Sequence, residues 1–197
     1  MEINEKIEQA ASHYAKFMDI IYPGWETDPN SIDTPRRVSK AFITELFKTV
    51  HDSDFNNVTS FDNIEHYDGI VIQSNIPVKS MCSHHHQIIS GIAHVAYLPS
   101  KTGKIIGLSK LNRIVDYYAR TPQVQENLTT QIHNKVNELC EANQGVAVII
   151  KAKHACCSHR GVNHDSDMQT CKLSGEFFSD DRARNEFYQL VDYATKK

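Results

Sequence analysis

Apolar positions along the chain change their period several times, and each change marks an element. Ile3, Ile7, Ala11, Tyr14, Phe17 and Ile21 recur at three- and four-residue steps, which predicts an amphipathic helix over residues 3–20. The stretch YPGWETDPNSIDTP, with three prolines and a glycine, breaks it into a loop. Thr34 is the expected N-cap of a second helix, with Pro35 at its first position and Val38, Phe42, Leu46 and Val50 along one stripe. From about residue 66 to 100 the period falls to two, in GIVIQSNIPVKS and again in IAHVAYL, predicting two strands. Helical spacing returns in LSKLNRIVDYYAR and in QVQENLTTQIHNKVNELC, where Val124, Leu128, Ile132, Val136 and Leu139 align. GVAVIIKAKH and QTCKLSGEFF then read as strands, and DDRARNEFYQLV as a closing helix with aspartates at its positive end.

The order of these elements predicts an α+β architecture. Strands joined by short turns pair antiparallel, and the two-helix connection lies across one face of the resulting four-stranded sheet. An N-terminal helical segment over residues 1–60 precedes this unit, which occupies residues 61–197. Four strands covered on one face leave edges and a second face open, and closure against further copies of the chain removes that exposure.

Composition narrows the function. With 197 residues, 40% hydrophobic and 23% charged, the chain carries one ordinary core. The formal net charge of −3, from 21 basic and 24 acidic residues, gives no field for holding nucleic acid, so an anionic ligand must be met by local cations. The start of the chain is charged and no run of about 18 apolar residues occurs, so the expectation is a cytoplasmic protein without membrane contact. Five cysteines in such a context point to metal ligation or free thiols rather than disulfides.

The chemistry concentrates in SMCSHHHQIISG and HACCSHR, each at a strand end. One Cys and one His from the first with one Cys from the second make a three-ligand zinc site with an open fourth position. A closed staple completed by a spare histidine or Cys157 is equally compatible with the spacing. His86, His159 and His164 read as solvated neighbours, and His94, inside a strand, as a core histidine. Arg37, Lys110, Arg113 and Arg160 stand beside turns or helix starts, where a phosphate finds both charge and N–H donors, although single cations more often decorate a solvated face. Gln125 and Glu126 are either first-turn polar residues or readers of a base edge, since a carboxylate accepts from the two adjacent N–H groups of guanine.

TPRRV, SMCSHH, YLPSKTGKIIGLSKLNRIVDYYARTPQVQENLTTQI and HACCSHRGV, in this order and spacing, resemble the GTP cyclohydrolase I family, zinc enzymes that open pterin synthesis. The likeness spans residues 32–190, and its specific part is GLSKLNRIV with QVQE between the two metal half-sites. The resemblance implies the tunnelling fold and a homodecamer with active sites where subunits meet. It implies Zn2+ held by Cys82, His85 and Cys156, with His84 as proton donor to guanine N7 and His154 as a second acid–base group. Glu126 with Gln125 would hold the guanine edge of GTP, while Ser109, Lys110, Arg113, Arg160 and Arg37 would meet the ribose, where Ser109 is also counted catalytic, and the triphosphate. The implied products are 7,8-dihydroneopterin triphosphate and formate.

The chain departs from the family pattern at Ser83, where a glutamate is usual, at the third histidine of CSHHH, and at Cys157 and His159, where apolar residues are usual. Loss of a carboxylate beside the metal bears on rate, metal preference and nucleotide choice. A specialised relative acting on a GTP analogue, or a non-catalytic zinc-containing homologue, is the alternative expectation.

Overall fold

The computed structural model describes residues 1–51, 55 and 59–196. The chain divides into two compact units, residues 1–53 and 54–197.

In the first unit, α1 (Ile3–Ile21) buries Ile7, Ala11 and Met18, the inner face of the predicted stripe. Trp25, in a single 3-10 turn, donates from Nε1 to Asp19 Oδ1 at 2.9 Å. The second helix differs from its prediction at both ends. α2 (Thr34–Ala41) is preceded by Asp33, so Thr34 is its first helical residue and caps nothing. A π turn over Phe42–Leu46 then shifts the register before the short α3 (Lys48–His51), so the stripe through Val50 is not one continuous helix.

The second unit holds the sheet. β1 (Ser60–Asp62) pairs with β4 (Lys104–Ile106) in a small ribbon that alternation over three residues was too short to signal. The main sheet has the order β5-β2-β3-β6-β7. Four of these are the expected antiparallel strands, β2 (Val71–Cys82), β3 (Ile88–Leu98), β6 (Gly145–His154) and β7 (Asp167–Leu173). The fifth, β5 (Pro122–Gln123), lies between α4 (Leu108–Ala119) and α5 (Gln125–Leu139) and pairs parallel with Met81 and Cys82. The sequence had placed Gln123 at a helix start.

Both helices of the crossover lie on one face, as the tunnelling fold requires. Leu111, Ile114, Val115, Leu128, Ile132 and Val136 meet Val78, Ile89, Val95, Tyr97, Val148 and Ile150 in a single core. Such side chains are worth about 1.5–3 kcal/mol each when fully buried. The second face is not left open. A helical turn α6 (Ala155–Ser158) follows β6, a second turn α7 (Glu176–Ser179) follows β7, and α8 (Asp181–Thr195) closes the chain. Phe177 and Phe187, from α7 and α8, pack on Ala96, Leu98 and Ala147. The predicted strand QTCKLSGEFF therefore ends early, because Gly175 has φ of 56° and a Cβ there would collide with the Gln144 carbonyl.

Candidate metal centre

Strand register explains why residues distant in sequence meet. Met81 pairs with Ile88 and Ile89 pairs with His154, so the end of β2 and the end of β6 flank the first residues of β3. Cys82 closes β2 and is buried; Ser83, His84, His85 and His86 follow in an exposed turn. That turn is held by the Cys82 N–H donating to Gln87 O at 2.8 Å and the His86 N–H donating to Cys82 O at 2.9 Å. His86 takes φ of 49°, a left-handed conformation that His tolerates in turns. The Ser83 N–H donates to Gln123 O at 2.9 Å, which ties the turn to β5. Gln123 is itself locked, donating from Nε2 to Tyr118 O at 2.7 Å and to Gln131 Oε1 at 3.0 Å.

On the other side α6 carries Cys156, two residues past the end of β6. One ligand atom each from Cys82, His85 and Cys156 lies within 4.8 Å of the others. Two thiols and an imidazole are zinc donors, and this spread is near what one ion with bonds of about 2.0–2.3 Å requires. The residues thus fit the metal that the sequence implied. Among the described residues no fourth protein donor joins the group, which argues against a closed staple. Burial first, then the neighbouring thiols of Cys82 and Cys157, push the Cys156 thiol up to about 11. A bound cation reverses that balance, because it stabilises the thiolate.

Two histidines border the trio. His84 Nδ1 lies 3.7 Å from Cys82 Sγ. His154, the last residue of β6, is half-buried, and its pKa is lowered by burial against the opposing pull of the Glu126 charge. Its Nε2 meets Gln125 Oε1 at 2.7 Å.

Gln125 is deeply buried in this network. The side chain is 1% exposed, and its Nε2 donates to Ile150 O at 3.1 Å, Met168 O at 3.2 Å and Thr170 Oγ1 at 3.1 Å. Both ends of the amide have partners within the chain. Its neighbour Glu126 is exposed in the first turn of α5. On α4, Ser109 and Arg113 are exposed and Lys110 is half-buried; Arg160 is exposed in the loop after α6. Arg37, in the first unit, donates to Asp33 Oδ2 at 3.1 Å. No hydrogen bond or ion pair among the described residues joins Ser109, Arg113 or Arg160 to the trio. Sequence reasoning missed Gln123, Thr129 and Thr170 as supports of the centre, for polar partners on separate elements leave no periodic signal.

Comparison with known proteins agrees with this geometry. A sequence model described as GTP cyclohydrolase I matches residues 11–192. The GTP cyclohydrolase 1 of Flavobacterium johnsoniae is 39% identical over 198 residues, covering 98% of this chain and 84% of the relative. That of Alkalilimnicola ehrlichii is 43% identical over 194 residues, covering 96% and 98%. That of Coxiella burnetii is 46% identical over 168 residues, covering 83% and 89%.

Proposed function

The chain belongs to the GTP cyclohydrolase I family, and from that premise we infer that it hydrolyses the guanine imidazole ring of GTP. Net, GTP and water give formate and 7,8-dihydroneopterin triphosphate. The observation that carries this reading is the convergence of Cys82, His85 and Cys156 from two strand ends, with His84 and His154 beside them.

In this reading the trio holds zinc, which when bound supplies Lewis acidity and activates water at neutral pH. The protein's own groups do the rest. Guanine C8 is a poor electrophile until N7 is protonated. His84 directs Nδ1 at the Cys82 sulfur, so Nε2 is the nitrogen that passes a proton to N7. One water adds at C8 and opens the ring to a formamide, a second cleaves the remaining C8–N bond so that this carbon leaves as formate, and closure of the pterin ring returns one water. His154 serves the proton transfers of sugar rearrangement and ring closure. Glu126, exposed beside His154, accepts from N1–H and the 2-amino group of guanine.

Ser109, Lys110 and Arg113 on α4, with Arg160, take the ribose and triphosphate, a role favoured by an overall charge of −3 that leaves attraction to local cations. Their contribution is orientation of C8 against the nucleophile. Assembly into a decamer with shared sites, and a cytoplasmic location, belong to the same proposal; β7 at the sheet edge offers a surface for pairing. No helix among the described residues is long and apolar enough to cross a membrane.

Incubation of zinc-loaded protein with GTP tests the reading. Formate and a pterin that fluoresces after oxidation are the expected products, and zinc-replete protein yielding neither ends it.

A further inference from the structure

Hydrogen-bond logic around Gln125 fixes more than its burial. Thr129 Oγ1 lies 2.8 Å from Gln125 O, a backbone carbonyl that only accepts, so the Thr129 hydroxyl donates there. Thr170 Oγ1, 2.6 Å from Thr129 Oγ1, must then donate to it. The Thr170 oxygen is left to accept from the Gln125 amide at 3.1 Å, and the Ile150 and Met168 carbonyls also demand a donor at that same amide atom. Three acceptors thus identify it as the NH2 group. The oxygen of the amide faces His154, and at 2.7 Å it accepts from Nε2.

We propose that Gln125 is a positioning residue: held by β6, β7 and Thr129, its amide oxygen keeps the His154 ring fixed with hydrogen on Nε2 and leaves Nδ1 as the nitrogen that works on substrate. This rests on the functional reading for what His154 does, and on the network alone for how it is held. Buried bonds of this kind set ring orientation and tautomer, and their loss costs about 10- to 100-fold in activity.

Two variants and a spectrum test it. Gln125→Met keeps the shape and removes both amide functions; Thr170→Val removes only the remote hydroxyl that orients the amide. Both are expected to keep a full complement of zinc and a KM for GTP within about twofold of the parent, while kcat falls about 10- to 100-fold for the first and less for the second. A raised KM with unchanged kcat in Gln125→Met, or loss of zinc, overturns the proposal. Should Gln125→Met not fold, the kcat of Thr170→Val decides, and parental kcat there overturns it. In zinc-loaded protein labelled with 15N-histidine, the His154 signals, identified by their disappearance in His154→Gln, are expected to show hydrogen on Nε2. Hydrogen on Nδ1 instead overturns the proposal whether or not the protein turns over GTP, so this arm stands apart from the formate assay.

Discussion

The two halves of the metal centre are built on opposite principles. The first joins Cys82, buried at the end of β2, to an exposed turn that carries His84 and His85, with His84 Nδ1 3.7 Å from the Cys82 sulfur. The second, His154 with Cys156, stands on a strand end whose neighbour Gln125 is clamped by two carbonyls and a hydroxyl. One half is adjustable at the surface and the other is fixed from the interior. A metal that bridges them needs the turn to settle, while the His154 ring is already held by Gln125, which limits the ordering entropy left to binding. Ser83 and the three histidines that follow it all fall in that exposed turn, clear of the core.

Removing one ligand from either half is the largest perturbation, and it treats the halves alike. Cys82→Ser and Cys156→Ser are each expected to lose zinc and bring formate release to background, because two protein donors no longer define a site. Metal analysis beside the formate assay checks this; a variant that keeps zinc and turnover removes that cysteine from the ligand set.

His84→Ala separates ligand from acid. Zinc content is expected to match the parent while formate release falls about 10²- to 10⁴-fold, the usual worth of a positioned proton donor. Retained turnover would move the acid role elsewhere. A smaller effect is expected for Glu126→Gln. Hydrogen bonds to a charged acceptor are worth about 1.5–3 kcal/mol, so KM for GTP should rise roughly 10- to 100-fold with zinc unchanged. Guanine binding that survives intact refutes the base-edge role.

The sequence made these halves legible to different degrees. Two metal-capable clusters at strand ends were legible where alternation stops, the choice of Cys82, His85 and Cys156 among them came from the family resemblance, and the strand order brings both ends beside the start of β3. Glu126 was legible as a first-turn carboxylate. Gln125 was not, since adjacent polar residues at a helix start look alike until one of them is seen to be 1% exposed. β5 escaped for a related reason: two residues are too few for a period, and their strand pairing with Cys82 is decided by tertiary contact rather than by propensity. The C-terminal cover over the second face was also hidden. Ala96, Leu98 and Ala147 alternate with residues of the first core, so these strands are apolar on both faces and pattern alone does not say what covers the second.

Two buried histidines behind the centre carry a pH liability. His133, on the same helix as Gln125, is 5% exposed, and its Nε2 lies 2.9 Å from Ser174 Oγ while Nδ1 faces Asn134 Oδ1 at 3.2 Å. Burial lowers its pKa below 6.5, with Lys172 adding to the lowering and Asn134 opposing it. His94 on β3 is 2% exposed, its Nδ1 has no hydrogen-bond partner among the described residues, and burial lowers its pKa too. Between the folded and unfolded values the unfolded chain binds more protons than the folded one. Stability therefore rises with pH through that window, is complete above about 6.5, and is lost as pH falls toward the folded values. Melting temperature should accordingly drop between pH 7 and pH 5.5. The measurement belongs in the Cys82→Ser background, where proton competition for the metal ligands does not enter. There, His133→Gln with His94→Gln is expected to flatten the pH slope, and a slope equal to that of Cys82→Ser alone would place the sensitivity outside the buried layer.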